Sequence, residues 1–185
     1  ICPGLAIGYR ASKEGLERLR AGRSVDEELV AVVENNACGV DAVQMLTGCT
    51  FGKGNFVFKD HGKQVFTFYN RKDGRAVRVS LRPGALDREN PAEKEMKPRD
   101  WTGTGGPGGD ENEGFENIRM EKIRLVLEPP ADEVFKIEEI EMEAPPEAQI
   151  EQSQPCSKCG EPTMPSKMET IDGRPVCRGC LEAAE

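Results

Sequence analysis

The sequence predicts an α+β domain followed by a small cysteine-rich module at the C-terminus. Apolar residues with helical spacing over residues 4–20 and 37–46 alternate with β-branched and aromatic runs that are typical of strands. Four of the seven cysteines form two C-x2-C pairs within the last 30 residues. A chain of 185 residues allows one ordinary core and a satellite, and a satellite this small needs a metal or disulfides to fold.

The first helix is expected over residues 4–20, because Gly22 follows as a stop signal. A β-branched run predicts a buried strand over residues 28–34, and residues 37–46 predict a second helix. Alternating apolar residues predict three more strands, over residues 55–60, 63–70 and 75–81. The connections at residues 61–62 and 71–74 contain the glycines that hairpin turns favour, so we expect hairpins here.

The rest of the domain begins with a Gly- and Pro-rich passage, residues 83–114, which we expect to be mobile. Residues 116–127 satisfy parts of both the helical and the strand period, so this segment could be either. Residues 134–142 alternate apolar and acidic side chains and predict a last strand with one face in water. Five strands with two or three helices predict a mixed sheet covered by helices.

The net charge of −8 is concentrated in one segment. Residues 128–151 contain nine acidic residues and one basic residue, Lys136, whereas the chain on either side is nearly balanced. No basic stripe for nucleic-acid phosphates is visible, so a nucleic-acid partner is disfavoured. The polar, Pro-rich end of this segment predicts a linker, with a loop packed on one domain as the alternative. We therefore expect an α+β domain at residues 1–143, a linker at 144–154 and a metal-binding module at 155–185.

No membrane association is expected. The longest purely aliphatic run, Leu29–Val33, is far shorter than the roughly 20 apolar residues that span a bilayer. The first residues lack the basic start and apolar stretch of a signal peptide, so we expect a cytoplasmic protein.

The two C-x2-C pairs predict a structural zinc site with Cys156, Cys159, Cys177 and Cys180 as ligands. Four thiolates leave no open coordination position, so this site is not expected to be catalytic. Two disulfides, an iron–sulfur site or a redox-active pair are the alternatives. The ligand spacing and the segments around Cys159 and Cys177 also resemble the zinc finger of the DksA/TraR transcription-factor family.

Two other thiols are expected at helix starts. Cys2 precedes Pro3, a residue favoured in the first helical position, and backbone N–H groups there favour a thiolate or a bound metal. Cys38 follows Asn35 and Asn36, which are candidate helix caps, and falls in the first turn. Asp41 and Gln44 lie three and six residues further on and can share its helix face. The alternative is that Cys38 is simply a small buried hydrophobe.

Two polar residues outside these helices are weaker candidates. Lys53 lies in a glycine-rich segment, residues 50–55, where it could meet an anionic group at the rim of a site. A loop leading into a strand explains the same residues equally well. His61, the single histidine, falls in a predicted turn, and a solvated turn residue is favoured over a ligand or general base.

Several motifs in order resemble the FmdE family of formylmethanofuran dehydrogenase proteins. They are Cys2-Pro-Gly-Leu-Ala-Ile-Gly-Tyr-Arg10, Asn36-Ala-Cys-Gly-Val-Asp-Ala-Val-Gln44, Leu46-Thr-Gly-Cys-Thr-Phe-Gly-Lys-Gly-Asn55, Asp60-His-Gly-Lys63 and the four-cysteine tail. The resemblance implies a thioredoxin-like domain with a mixed five-stranded sheet flanked by helices, a treble-clef zinc finger and a metal-binding active site in the first domain. It also implies an association with molybdenum or tungsten formylmethanofuran dehydrogenase, a methanogenesis enzyme. The family motif has a His-Gly-His segment ahead of the position of Ile1, which would add imidazole ligands to Cys2.

These observations lead to two functional hypotheses. The first is a metal-binding accessory protein, related to that dehydrogenase, with a second metal held by Cys2 and Cys38 near Asp41. If this site is catalytic, Asp41 or Gln44 would orient a small substrate and Lys53 would meet its negative group, although no reaction follows from the residues. The second is a regulatory or interaction protein whose zinc finger contacts a protein or nucleic acid. In either case the linker would let the finger reach a second copy, so a homodimer is a further expectation.

Overall fold

The computed structural model of the protein describes residues 1–86 and 110–183, with the backbone alone described for residues 110–115. These residues divide into two compact units, residues 1–147 and 148–185. The predicted mobile passage at residues 83–114 lies mostly outside the described residues. None of the helices within the described ranges is both long and apolar enough to cross a bilayer.

Within the described residues, the larger unit contains four α-helices and five strands. The helices are α1 (Pro3–Leu19), α2 (Gly39–Thr47), α3 (Asp110–Leu127) and the short α4 (Ala131–Val134). The strands are β1 (Leu29–Val33), β2 (Phe56–Phe58), β3 (Val65–Asn70), β4 (Ala76–Leu81) and β5 (Phe135–Ile140). The segment that fitted both periods, residues 116–127, is therefore helical.

The five strands form one mixed sheet in the order β2-β1-β3-β4-β5. Strand β1 runs parallel to β2, and the β1–β3, β3–β4 and β4–β5 pairs are antiparallel. The predicted mixed five-stranded sheet is confirmed, and so is the hairpin between β3 and β4. The expected hairpin between β2 and β3 is wrong, because these two strands lie on opposite sides of β1.

Strand β1 lies between β2 and β3 because all five of its residues are buried, so the backbone N–H and C=O groups along both of its edges need partners in neighbouring strands. The chain from β2 to β3 passes the carboxyl end of β1 and is tied to it by backbone bonds. Lys59 N–H donates to Val33 O at 2.9 Å, and Lys63 N–H donates to Glu34 O at 2.9 Å. These bonds attach the connection between β2 and β3 to the end of β1 at two points.

The main core lies between one face of the sheet and helices α1, α2 and α3. Its largest fully buried side chains come from α1, α3 and the strands and include Leu19, Phe66, Phe68, Val126 and Phe135. A smaller cluster of Val30, Tyr69 and Ala76 lies on the other face of the sheet. Because α1 and α2 sit on the same face, they can contact each other directly.

The start of the predicted linker is attached to the larger unit. The Arg71 guanidinium donates to the carbonyl oxygens of Pro145 at 2.7 Å and Pro146 at 3.0 Å. Arg71 Nε donates to Glu27 O at 2.9 Å, so the side chain joins this segment to the connection before β1. The linker boundaries themselves stay a prediction.

The smaller unit consists of short hairpins and one terminal helix. Its elements are β6 (Gln154–Pro155), β7 (Pro162–Thr163), β8 (Met168–Ile171), β9 (Arg174–Cys177) and α5 (Arg178–Glu182). Asp172 (φ 49°) and Gly173 (φ 74°) both have positive φ in the β8–β9 turn, as a two-residue hairpin turn of this kind requires. The turn at residues 156–160, the β8–β9 hairpin and helix α5 follow one another in the order of a treble-clef finger. Among the described residues of this unit, Cys156 and Val176 are the buried apolar ones.

Candidate metal centres

The four C-terminal cysteines converge on one point. Their sulfur atoms all lie within 4.8 Å of one another. Two sulfur pairs, Cys156–Cys180 and Cys159–Cys177, are 4.0 Å and 3.9 Å apart. Four sulfurs at 2.3 Å from a tetrahedral zinc ion are about 3.8 Å apart, so the cluster fits zinc with little adjustment.

Backbone N–H groups surround the Cys156 sulfur. Cys177 N–H donates to it at 3.3 Å and Lys158 N–H at 3.4 Å. The tight turn after Cys156 is closed by Gly160, which has φ 76° and donates its N–H to Cys156 O at 2.9 Å. The C-x2-C spacing therefore folds into a knuckle that presents a sulfur already stabilised for metal binding.

Cys156 and Cys180 differ in how readily they ionise. Hydrogen bonds from the backbone of Cys177, Cys159 and Lys158 lower the pKa of Cys156 to about 6. Interactions with the Cys177 and Cys159 side chains raise the pKa of Cys180 to about 12. The first negative charge in the cluster is thus favoured, and the last is strongly opposed by the others. A cation at the centre removes this opposition, which is why four converging thiols fit a metal site.

In the larger unit, α1 and α2 cross so closely that glycine is needed at the contact. A Cβ atom on Gly8 would lie 1.9 Å from Gly39 O, and one on Gly39 would lie 2.9 Å from Gly4 O. Both distances are below any normal contact. This crossing lies near the first turn of each helix, so it brings the two helix starts together.

Cys2 occupies the N-cap of α1. Its sulfur accepts the Leu5 N–H at 3.3 Å, and Pro3 occupies the first helical position, as the sequence predicts. Cys2 is half-buried. The local sequence therefore fixes the position of this sulfur at the positive end of the helix dipole.

Cys38 is itself the N-cap of α2, so the expectation that Asn35 or Asn36 would cap this helix is wrong. Asn35 instead shapes the approach: its Oδ1 accepts the Ala37 N–H at 3.0 Å, and its Nδ2 donates to Lys63 O at 2.6 Å. Cys38 makes no side-chain capping bond and is exposed, which excludes the buried alternative for this residue.

The two thiols interact. The side chain of Cys2, through a hydrogen bond and its charge, raises the pKa of the Cys38 thiol, and partial burial and the charge of Asp41 act in the same direction. A Cβ placed on Gly4 would lie 3.6 Å from Cys38 Cβ and 3.9 Å from Cys2 Sγ, so both cysteines border the space above Gly4. The structure thus brings Cys2 and Cys38 together, with Asp41 exposed in the first turn of α2.

The contacts described for Gln44 and Lys53 are with residues other than Cys2, Cys38 and Asp41. Gln44 is half-exposed in α2, and its backbone carbonyl oxygen accepts the Gly48 N–H at 3.0 Å. Lys53 Nζ donates to Ser24 O and Val25 O, both at 3.1 Å, so it is attached to the connection between α1 and β1. Their expected roles toward a substrate stay predictions.

Within residues 1–86 and 116–183, the finger is where three or more His, Cys, Asp or Glu ligand atoms come together. The Cys2–Cys38 pair supplies two sulfur donors. Two donors are half of what a tetrahedral ion requires, so a metal held here would take its remaining ligands from other groups or from solvent.

Sequence reasoning missed the partner of His61. His61 Nδ1 lies 3.0 Å from Glu34 Oε2, and Arg78 Nη2 lies 3.2 Å from Glu34 Oε1. Burial by itself would raise the pKa of Glu34, but the hydrogen bond with His61 and the charge and hydrogen bond of Arg78 outweigh it and lower that pKa. His61 is thus a half-exposed residue paired with Glu34. The two residues are 27 positions apart in the sequence, so no local pattern indicated that they pair.

The chain matches known families in both units. Residues 1–136 match the family described as FmdE, molybdenum formylmethanofuran dehydrogenase operon. Residues 149–185 match the prokaryotic dksA/traR C4-type zinc finger. Together with the sulfur cluster, this match confirms the predicted C4 zinc finger and its fit to structural zinc.

Two individual proteins are similar to the chain. A "probable S-adenosyl-L-methionine-binding protein" of Archaeoglobus fulgidus is 32% identical over 185 residues, which cover 97% of this chain and 49% of that protein. The chain thus spans about half the length of this curated relative. The crystal structure of a tungsten formylmethanofuran dehydrogenase FmdE-like protein from Syntrophus aciditrophicus has a TM-score of 0.62 at 20% identity, covering 98% of this chain and 84% of that one. This likeness shows a shared fold.

Proposed function

This chain belongs to the FmdE family, and from that premise we propose that it is a metal-binding accessory protein related to molybdenum or tungsten formylmethanofuran dehydrogenase. In this proposal Cys2 and Cys38 hold a metal in the first domain and the C-terminal finger is structural. The observation that carries the proposal is the convergence of two helix starts that each place a thiol at the N-cap. The family description, which refers to the dehydrogenase operon, supports the choice of partner.

The chemistry of the donors supports a metal at this point. Thiolates are strong ligands for zinc and for softer transition metals, and the positive end of a helix favours the thiolate form. A metal with open coordination positions polarises a bound group or activates a bound water. Asp41, in the first turn of α2, would orient a ligand at this site. Gln44 and Lys53 are proposed to contact the polar or negative end of that ligand.

The domain limits, location and assembly belong to the same proposal. We take residues 1–143 as the metal-binding domain, 144–154 as the linker and 155–185 as the finger. All seven cysteines are free thiols in the structure, which supports a reducing compartment such as the cytoplasm. The dehydrogenase subunits, or a second copy of this chain, are the proposed partners.

Metal analysis of purified protein tests the proposal. We expect two zinc equivalents for each chain, one of them lost in Cys2→Ser and in Cys38→Ser. Cys49→Ser is the matched control, because Cys49 is fully buried and its sulfur donates to Leu29 O at 3.3 Å. Zinc content equal to one equivalent in the wild type and in all three variants would reject the first-domain site.

The second candidate function is an interaction protein that uses its finger. The dksA/traR match favours it, and Lys158, Arg174 and Arg178 are exposed on the finger or partly so. Nucleic-acid binding would then be tight at low salt and fall steeply as salt rises, because phosphate contacts release counterions. Salt-independent or absent binding would leave a protein partner as the remaining form of this alternative.

A further inference from the structure

The crossing of α1 and α2 places two thiols where they can react with each other. Both cysteines border the space above Gly4, where a Cβ would lie 3.6 Å from Cys38 Cβ and 3.9 Å from Cys2 Sγ. Because Gly4 has no side chain, nothing from that residue fills the space between them.

A disulfide at this point requires the two cysteine side chains to turn toward each other. Disulfide formation requires two Cβ atoms about 3.5–4.5 Å apart. A change of rotamer moves a cysteine sulfur by about 3 Å without moving the backbone. Two cysteines that border the same space can therefore bring their sulfurs together by side-chain rotation.

The other cysteines are poor competitors for this reaction. Cys49 is 0% exposed, and the four finger cysteines lie in their own cluster, where a bound zinc occupies their sulfurs. Cys38 is exposed and Cys2 is half-buried. A small reagent in solvent therefore reaches Cys38 first and finds Cys2 beside it.

We propose that Cys2 and Cys38 form a reversible disulfide by exchange with a low-molecular-weight disulfide, and that this bond closes the first-domain metal site. The Cys38 thiolate attacks one sulfur of the small disulfide, whose S–S bond breaks and whose other half leaves as a thiolate that takes up a proton. The Cys2 thiolate then attacks the Cys38 sulfur and displaces the second half. Two protein thiols are oxidised by two electrons, and the small disulfide is reduced to two thiols.

The consequence for metal binding follows from the donors. A metal at this site is held by two thiolates, and a disulfide converts both sulfurs into poor ligands. Metal binding and disulfide formation therefore exclude each other. As regulation of the site this inference rests on the proposed function, whereas the bond itself does not.

Peptide mapping tests the bond directly. The full chain, with zinc in the finger, is treated with oxidised glutathione, alkylated and digested with trypsin. We expect peptide 1–10 joined to peptide 24–53, released by reductant and absent in Cys38→Ser. Because peptide 24–53 also contains Cys49, the mapping is repeated in Cys49→Ala, and fragmentation of the wild-type peptide between the two cysteines gives the same assignment if that variant folds poorly. Glutathione attached separately to Cys2 and Cys38, with no joined peptide, would overturn the inference.

A second arm separates this inference from the metal site. Protein given a second zinc equivalent before the oxidant should form the joined peptide at least tenfold more slowly, and the joined protein should retain one zinc. Joining in a protein that never takes a second zinc would overturn the metal site and the closure, and leave the disulfide. A bound second zinc with no joining under any oxidising condition would overturn the disulfide and leave the metal site.

Discussion

Gly8→Ala tests the helix crossing on which the first-domain site depends. A Cβ at this position would lie 1.9 Å from Gly39 O, 2.5 Å from Gly39 C and 2.6 Å from Gly39 Cα. All three are backbone atoms, so no side-chain rotation can relieve the overlap. Normal contact is about 3.5 Å, so the two helices must move apart by roughly 1.6 Å.

The expected cost follows from two opposing effects. Replacing glycine by alanine inside a helix normally stabilises it by about 1 kcal/mol. Overpacking against atoms that cannot yield costs about 3 kcal/mol, at the upper end of the usual range. The net loss is about 2 kcal/mol, which lowers the melting temperature of a domain of this size by roughly 4–8 °C.

Thermal and urea unfolding followed by circular dichroism measure this loss. Gly4→Ala is the matched control in the same helix, because its nearest neighbours would be 3.6 Å and 3.9 Å away, which is ordinary contact. We expect Gly4→Ala to be neutral or stabilising. A Gly8→Ala protein as stable as Gly4→Ala would refute the close crossing. The joined peptide between Cys2 and Cys38 should also decrease in Gly8→Ala.

Three further predictions concern the finger and two carboxylates. Cys177→Ser should lose one zinc equivalent and make residues 148–185 sensitive to protease, because the described part of that unit buries few apolar side chains besides Cys156 and Val176. Zinc analysis and limited proteolysis measure the two effects. Since the pKa of Glu34 is lowered in the folded protein, its charge adds stability that is present above the ordinary value near 4.5 and is lost as pH falls through the lower folded value. The difference in urea midpoint between the wild type and Glu34→Gln should therefore be largest at pH 7 and should decrease as the pH is lowered. A difference that does not depend on pH would contradict this account. Backbone hydrogen bonds from Val25 and Asp26 help lower the pKa of Glu28 to about 2, so its NMR titration should have a midpoint near 2 and not near 4.5.

Local patterns predicted the parts of this fold that local interactions specify. The C-x2-C spacing fixes a knuckle through the bonds within residues 156–160, and the Cys2-Pro3 pair fixes an N-cap. The α3 segment stayed ambiguous because apolar residues at Ile123, Leu125 and Leu127 fit a strand as well as a helix. A local pattern therefore predicts a structure well when contacts within a few residues determine that structure.

The error about the β2–β3 hairpin occurred where distant segments compete for the same partner. Glycines near His61 favour a hairpin between β2 and β3. However, β1 is buried along its whole length, so it needs a neighbouring strand along each of its two edges. That requirement is visible only when the whole sheet is considered. The Glu34–His61 pair follows from the same strand order, because the β2–β3 connection passes the end of β1. The Cys2–Cys38 proximity depends likewise on glycines 31 residues apart, Gly8 and Gly39.

The two thiol sites differ in how completely they surround an ion, and this difference determines what each can do. Both use cysteines at helix starts: Cys177 is the N-cap of α5, and Cys2 and Cys38 are the N-caps of α1 and α2. In the finger, four sulfurs fill a tetrahedral coordination shell, so a bound zinc has no position for a substrate. At the α1–α2 crossing, the proposed metal would be held by two sulfurs, which would leave about half of its shell open. If the proposed site holds a metal, exchangeable ligands and small reagents can reach Cys2 and Cys38, and we expect both substrate chemistry and sensitivity to oxidants there and not in the finger.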